Sequence, residues 1–126
     1  MIGNLTEKQI EKLILQWLNA QADIFAFKIN TVGIFDTVRK VYRKNLNPHV
    51  HVGTSDIVGC CRGFFFAFEV KTPSAFKRKI PDAQARFIDR VRLYDGMAHV
   101  VCSLEQVEDH ISLIRKRSVG PGRALP

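Results

Sequence analysis

The chain has 126 residues, 46% hydrophobic and 25% charged, which is the composition of an ordinary globular domain. A formal net charge of +7 favours a polyanionic partner, either nucleic acid or an acidic membrane surface. No apolar run approaches the roughly 18–20 residues that span a bilayer, and residues 1–7 lack the layout of a signal peptide. The three cysteines do not suggest a disulfide framework, so we expect a reducing, intracellular setting such as the cytoplasm.

This length predicts one domain, over residues 1–117, followed by a Gly- and Pro-rich tail over 118–126 that we expect to be disordered. The first element is a helix over residues 5–21. Thr6 and Gln9 have the spacing of a capping box, and an apolar stripe follows at helical spacing: Ile10, Leu13, Ile14, Trp17 and Leu18.

Two acidic residues flank the apolar stripe of this helix. On a helical wheel Glu7 lies closer to the stripe than Glu11, so we predict that Glu7 points inward. The alternative is a solvated acidic first turn, which the helix dipole favours.

Residues 24–30 alternate loosely and predict a strand, and residues 31–37 suggest a turn. The segment 38–44 is a short strand or a loop arm. Its cations are either a solvated face or, slightly better supported by their one-sided charge, contacts to phosphate: Arg39, Lys40, Arg43 and Lys44. His49 and His51 alternate with valines. A zinc site there is the weaker alternative to surface histidines, because no third His or Cys lies nearby in sequence.

A hairpin is predicted over residues 57–70. Ile57 and Val58 form a short first strand, the apolar run Phe64–Val70 forms the second, and Gly59 and Gly63 bracket the turn, which places Cys60 and Cys61 in it. Asp56 then falls near Glu69 at the open end. Lys71 shares a face with Glu69, since side chains at i and i+2 in a strand point the same way.

Beyond the hairpin, prolines at 73 and 81 enclose an exposed loop that carries Lys77, Arg78 and Lys79. A helix follows over residues 83–95, with Asp82 as N-cap and Gly96 as C-cap. A strand over 98–102 and a helix over 105–117 complete the order α-β-β-β-α-β-α. This order predicts an α/β fold with a mixed sheet flanked by helices, in which the last strand lies parallel to its predecessor.

The charged end of the hairpin has the chemistry of a phosphodiester hydrolase. Mg²⁺ prefers carboxylates in a partly open shell, which Asp56 and Glu69 can supply, with the Val70 carbonyl as a further ligand. Lys71 would orient the attacking water or stabilise charge on the phosphate. The alternative is a Glu69–Lys71 ion pair at a strand end, with Asp56 capping a turn.

The set Asp56…Glu69-Val70-Lys71 resembles the PD-(D/E)XK nuclease motif. The surrounding sequence is similar to the VRR-NUC branch of that superfamily, from about residue 7 to 108. The similar stretches are Gly53-Thr-Ser-Asp56-Ile-Val-Gly59, Ala67-Phe-Glu69-Val-Lys71-Thr72, Gln84-Ala-Arg-Phe87 and Gly96-Met-Ala-His-Val-Val101. Ser55 stands where the superfamily motif usually has Pro, and residues 34–52 have no counterpart in the minimal motif.

The resemblance implies a restriction-endonuclease-like core and a Mg²⁺- or Mn²⁺-dependent endodeoxyribonuclease, similar to Holliday-junction resolvases that act as homodimers. It also implies that a first-helix acid, Glu7 or as the alternative Glu11, joins the metal site, and that Gln84 helps to shape it. Two other hypotheses stay open: a non-catalytic nucleic-acid-binding module with this fold, and an RNA-directed nuclease.

Overall fold

The two strands of the predicted apolar hairpin are the two central strands of a four-stranded β-sheet. A computed structural model describes residues 4–29, 34–36, 38–39, 41–43, 49 and 53–118. In chain order its elements are α1 (Glu7–Ala20), β1 (Ile24–Lys28), β2 (Ile34–Asp36), β3 (Val41–Arg43), β4 (Ile57–Cys61), β5 (Phe64–Val70), α2 (Pro73–Phe76), α3 (Asp82–Leu93), β6 (Met97–Val101) and α4 (Leu104–Ser118).

The main sheet has four strands in the order β1-β4-β5-β6. The pairs β1–β4 and β4–β5 are antiparallel, whereas β6 pairs parallel to β5 after the crossover through α3. These pairings confirm the predicted mixed α/β sheet flanked by helices. A separate two-stranded sheet pairs β2 with β3, where a turn was predicted over residues 31–37.

Each face of the main sheet has its own apolar cluster. On one face α1 and α4 cover the large side chains of the hairpin, with Phe66 and Phe68 fully buried against Ile14 and Ile111. On the other face α3 packs against β5 and β6, and Ile88 lies in the smaller cluster there. The alternation of side chains along β5 therefore sends Phe68 to one cluster and Glu69 to the other face.

The predicted start of the first helix is confirmed. Thr6 accepts a hydrogen bond from the Gln9 backbone N–H at 3.2 Å, and the Gln9 side chain accepts one from the Thr6 N–H at 2.9 Å. Ile10, Ile14 and Leu18 of the predicted stripe are buried, which anchors the helix on the sheet.

The turn of the central hairpin lies later than predicted. Arg62 and Gly63 both have positive φ angles, 52° and 86°, and form a two-residue turn of the kind that matches the twist of paired strands. Gly59 instead lies within β4 opposite Phe66, where a Cβ would come within 2.5 Å of the Phe25 carbonyl oxygen. The placement of Cys60 and Cys61 in the turn was therefore wrong, because both belong to β4.

Three predicted boundaries after the hairpin need correction. The loop between the prolines contains a short helix, α2, which the Thr72 side chain caps. The N-cap of α3 is Pro81, so Asp82 is its first helical residue. Asp95, with φ 68°, takes the left-handed position at the end of α3 that was assigned to Gly96. The structure contains no helix, within the ranges it describes, that is long and apolar enough to cross a membrane.

Candidate metal and active site

Backbone pairing brings Asp56 beside Glu69, as predicted. Ile57 of β4 pairs with Phe68 of β5 in an antiparallel register. Asp56, which precedes Ile57, therefore lies opposite Glu69, which follows Phe68. Asp56 Oδ2 accepts a hydrogen bond from the Val70 N–H at 2.8 Å, and the Asp56 carbonyl accepts one from the Ile29 N–H at 2.8 Å. Asp56 is thus fixed from both neighbouring strands.

Glu69 is a buried carboxyl group in an unfavourable setting for charge. It is 2% exposed, and its Oε1 atom has no hydrogen-bond partner among the described residues. Burial raises the pKa of Glu69 to about 9, and the hydrogen bond with Asp56 and the charge of Asp56 act in the same direction. In the metal-free protein the raised pKa therefore favours the uncharged form of the Glu69 carboxyl group at neutral pH.

Lys71 lies directly after β5. Its backbone N–H donates to the Val101 carbonyl at 2.9 Å, which extends the pairing between β5 and β6 by one residue. Its ammonium group opposes the rise in the pKa of Glu69, so the two side chains lie within electrostatic range of each other. The structure therefore brings Asp56, Glu69 and Lys71 together.

Unsatisfied oxygens gather on the segments around this pair. Three of the four buried side-chain N and O atoms without a partner in the described residues are Ser55 Oγ, Glu69 Oε1 and Gln84 Oε1. Gln84 lies in the first turn of α3, and Gly53 packs against the backbone of that turn. Buried polar groups are ordinarily hydrogen-bonded, so these three oxygens are candidates to contact water, a polar ligand or an ion. No role was predicted for Ser55 or Gly53.

The orientation predicted for the first-helix acids was wrong. Glu7 is exposed, whereas Glu11 is 8% exposed and forms an ion pair with Lys28 at 2.9 Å. A helical wheel compares residues only by their angle around the helix axis. The ion pair with Lys28 of β1 forms at Glu11, one turn beyond Glu7, and a wheel does not include this contact. Glu7 nevertheless contributes to the raised pKa of Glu69, and Asp56 adds to the effect of Glu11 in raising the pKa of Lys28. Ligand roles for Glu7 and Glu11 stay predictions.

The donor set fits a hard divalent cation. Within the described ranges no group of three or more His, Cys, Asp or Glu side chains is placed to hold a metal. Mg²⁺ does not need such a cage, because it usually binds through one or two carboxylates together with water and substrate phosphate. Two adjacent carboxyls, one with an unpaired buried oxygen, match that requirement. His49 is exposed and His51 lies outside the described residues, so the zinc alternative stays untested.

The two predicted basic segments differ in how much the structure describes. The three cations Lys77, Arg78 and Lys79 are exposed between α2 and α3. Lys79 Nζ lies 3.8 Å from Asp82 Oδ1. Lys77 also lines a groove of about 790 Å³ together with Thr72, the residue after Lys71. In the other segment Arg39 is exposed and Arg43 belongs to β3, while Lys40 and Lys44 lie outside the described residues.

Two histidines for which no role was predicted stack on the core. The rings of His99 and His110 lie parallel with centroids 3.8 Å apart, and His110 also stacks on Phe68. Burial, followed by the charges of His110 and Arg92, lowers the pKa of His99 to about 4. The pair is therefore uncharged at neutral pH and contributes to packing. The two residues are 11 positions apart on different elements, so no local pattern indicates their contact.

No family model matches the chain, and no curated protein matches it. The resemblance to the VRR-NUC branch accordingly rests on the motifs quoted above. The structure adds the mixed sheet flanked by helices and the pairing that joins the motif residues at one end of the hairpin.

Proposed function

We propose that this protein is a metal-dependent nuclease that hydrolyses phosphodiester bonds of DNA, with a preference for branched structures. The observation that carries the proposal is the buried Glu69 carboxyl beside the half-buried Asp56 and Lys71. Burial of Glu69, together with the neighbouring Asp56 carboxylate, disfavours the charged form of Glu69. The repulsion between the two carboxylates is relieved when a cation or a proton binds between them. Binding a cation would therefore explain why the two groups lie side by side.

Asp56 and Glu69 would hold Mg²⁺ or Mn²⁺ through their carboxylate oxygens, with the Val70 carbonyl and a first-helix glutamate as further ligands. When bound, the ion supplies positive charge that activates water and stabilises the phosphate. The hydrogen bond from the Val70 N–H keeps one oxygen of Asp56 in place, so the carboxylate does not rotate away from the substrate. Gln84 offers a buried amide oxygen that can orient water or a sugar-phosphate group.

Lys71 is the residue that would act on the substrate. Its ammonium lies on the same strand face as Glu69 and can donate hydrogen bonds to the attacking water or to a phosphate oxygen. Removing one preorganised donor of this kind typically lowers a rate by about 10²–10³-fold.

DNA is the proposed substrate because the basic segments can contact its phosphates. A net charge of +7 attracts a polyanion, and Lys77, Arg78 and Lys79 present exposed cations shortly after β5. Backbone contacts position the nucleic acid without reading bases, so the shape of the substrate sets the selectivity. A DNA duplex or junction has two strands to cut, and a two-fold symmetric homodimer would place one active site at each of them.

Lys71→Ala tests the catalytic proposal directly. We expect the variant to cleave a four-way junction or a plasmid at least about 100-fold more slowly than the wild type, because the donor to the reacting groups is lost. Cleavage is measured on gels with Mg²⁺, Mn²⁺ or EDTA, and a structured RNA is included as a competing substrate.

Lys12→Ala is the matched control, since Lys12 is an exposed lysine on α1 outside the site. It is expected to cleave like the wild type. Binding without cutting in either metal by the wild-type protein would sink the nuclease proposal and favour a binding module. Faster cleavage of RNA than of DNA would assign the activity to the other substrate.

The Lys77–Lys79 segment gives a second test. Replacing Lys77, Arg78 and Lys79 by Ala is expected to weaken DNA binding and to reduce the dependence of log Kd on log salt by about 2–3, because about 0.9 of a counterion is released per neutralised phosphate. Affinity is measured by fluorescence anisotropy over a salt series, with Asp56→Asn in every protein to prevent cleavage. An unchanged salt slope would remove this segment from the interface.

A further inference from the structure

We infer that one side of the main sheet binds a single-stranded stretch of DNA by stacking unpaired bases on exposed aromatic rings. The aromatic face is defined by Phe25, Phe27, Phe65 and Tyr94, which are 68%, 45%, 44% and 75% exposed. The inference rests on the proposed function and narrows its substrate to DNA that carries unpaired bases near the bond to be cut.

The aromatic face arises from the strand register, which sets the rings side by side. Phe25 pairs with Cys60, and Cys60 pairs with Phe65, so these side chains form one row across the sheet. Phe25 and Phe65 stand two strands apart, or about 10 Å. Phe27 lies on the same side of β1, and its ring centroid is 5.6 Å from that of Phe25. The face therefore offers several neighbouring rings rather than one isolated aromatic residue.

The aromatic face and the candidate site lie on the same side of the sheet. Phe65 and Glu69 are four residues apart on β5, so their side chains point the same way and their Cα atoms lie about 13 Å apart. On β1 the same side runs from Phe27 to Ile29, whose backbone N–H donates to the Asp56 carbonyl. A strand of DNA that lies along β1 would thus pass over the rings and reach the carboxyl pair.

The helix α3 covers only part of this side of the sheet. It packs against β5 and β6, where Ala67 and Ala98 are fully buried in a cluster with Ile88. Taking about 200 Å² for each aromatic side chain, the exposed fractions of the aromatic face amount to roughly 450 Å². Contiguous apolar patches beyond a few hundred Å² usually mark an interaction site.

Cations border the aromatic face along α3. A groove of about 360 Å³ there is lined by Phe65, Phe87, Arg90, Val91, Tyr94 and Gly96. Arg90 is the one charged residue of these six, and Arg86 is exposed one helical turn earlier on the same side of α3. Asp89 lies about 100° away from Arg90 around the helix axis. Proteins that bind single strands combine such cations, which follow the backbone, with rings on which the bases stack.

The chemistry of the face favours unpaired bases over the other ligands that an apolar surface could take. Bases in a duplex are paired and stacked on one another, whereas unpaired bases can splay out onto aromatic side chains. Every base has a π-face, so this contact tolerates any sequence. The net charge of +7 favours a polyanion over a neutral apolar peptide on the same surface.

The test measures the affinity of an oligo-dT strand of about 12 nucleotides by fluorescence anisotropy, with Asp56→Asn in every protein to prevent cleavage. Phe25→Ala is expected to raise Kd at least about fivefold, because stacking on one ring is lost. Leu113→Ala is the matched control, since Leu113 is a half-exposed apolar residue on α4, and its Kd should be that of the parent. Circular dichroism verifies that each variant is folded.

Phe25→Trp restores a ring at the same position and should keep the parent's affinity. The parent's single tryptophan, Trp17, lies on α1, so oligo-dT should quench tryptophan fluorescence more in Phe25→Trp than in the parent. Arg90→Ala should reduce the dependence of log Kd on log salt by about 0.7, whereas Phe25→Ala should leave that slope unchanged.

An abasic strand of the same length separates stacking from charge, because it keeps the phosphates and lacks the bases. The parent should bind it at least about fivefold less tightly than oligo-dT, and this difference should narrow in Phe25→Ala. Equal affinity of the parent for the two strands overturns the inference. An oligo-dT affinity that stays unchanged in both Phe25→Ala and Tyr94→Ala overturns it as well.

Cleavage separates this inference from the nuclease proposal. With Asp56 restored, Phe25→Ala should raise the KM for a duplex with a single-stranded flap and leave kcat unchanged, because the ring contacts the strand and not the reacting groups. Stacking of oligo-dT without cleavage of any DNA in Mg²⁺ or Mn²⁺ would overturn the nuclease and keep the aromatic face. Metal-dependent cleavage with the same KM in Phe25→Ala and Tyr94→Ala would keep the nuclease and overturn the aromatic face.

Discussion

Glu69→Gln is expected to stabilise the metal-free protein while it abolishes cleavage. In the wild type the Glu69 carboxyl is 2% exposed and hydrogen-bonded to Asp56, and its pKa is raised to about 9. A glutamine keeps the shape of the side chain and still donates to the Asp56 carboxylate through its amide. It lacks the charge that the buried site disfavours and the carboxylate that a metal requires.

The sign of the pH dependence follows from the two pKa values. In the unfolded chain Glu69 loses its proton near pH 4.5, whereas in the folded protein it keeps the proton until about pH 9. Between these values Glu69 binds fewer protons in the unfolded state than in the folded state, so its contribution to the stability of the wild type falls as pH rises. A tenfold change in an acid dissociation constant corresponds to about 1.4 kcal/mol, and we expect an advantage of the order of 2 kcal/mol or more for Glu69→Gln by pH 9. The advantage should vanish near pH 4.

Chemical denaturation in EDTA at pH 4, 7 and 9 measures this difference. Glu108→Gln, an exposed substitution on α4, is the control and should follow the wild type at each pH. Adding Mg²⁺ should raise the stability of the wild type more than that of Glu69→Gln, because only the wild type exchanges its proton for the ion.

Junction cleavage completes the prediction for Glu69. Loss of a metal ligand should lower the rate by about 10³-fold or more in Glu69→Gln. A stability difference between the wild type and Glu69→Gln that stays the same from pH 5 to 9 would contradict the raised pKa assigned to Glu69. Normal cleavage by Glu69→Gln would contradict its role as a ligand.

Local patterns were sufficient to predict the frame of the site. The apolar run Phe64–Val70 and the turn signals before it predicted a hairpin, and the hairpin alone places Asp56 beside Glu69. The capping box of α1 and the parallel crossover through α3 were likewise predictable, since each depends on short-range spacing or on the handedness of connections. The exact turn was not, because Gly59 is required for close packing inside a strand.

Features that depend on tertiary contact could not be predicted. Glu11 rather than Glu7 is buried because Lys28 of β1 contacts that turn of the helix. A helical wheel contains no information about such a contact with another element. The unpartnered oxygens of Ser55 and Gln84 come from separate segments that only the fold brings under cover. The sequence therefore indicates which groups are available for chemistry, and the packing determines which of them are desolvated.

Gly53→Ala is the second substitution with a large expected effect. Gly53 has φ 84°, and a Cβ there would lie 2.4 Å from both the carbonyl carbon and the oxygen of Ala83 and 2.8 Å from the Gln84 nitrogen. These are backbone atoms in the first turn of α3, which cannot rotate aside as a flexible side chain does. The first turn must then shift, and Gln84 shifts with it. We expect a loss of about 2–4 kcal/mol in the free energy of unfolding.

Gly63→Ala separates the steric effect from the conformational one. Gly63 has nearly the same φ, 86°, but no atom of the described residues lies within 4 Å of its added Cβ. It should cost only the left-handed conformation of an alanine, about 1 kcal/mol, and should leave cleavage unchanged. Denaturation curves of the two variants give the comparison, and junction cleavage shows whether the displaced turn disturbs the site. Equal losses of stability in the two variants would mean that Gly53 is required for its φ alone. A larger loss in Gly53→Ala, together with slower cleavage, would show that the loop before Asp56 positions Gln84 by direct contact with the start of α3.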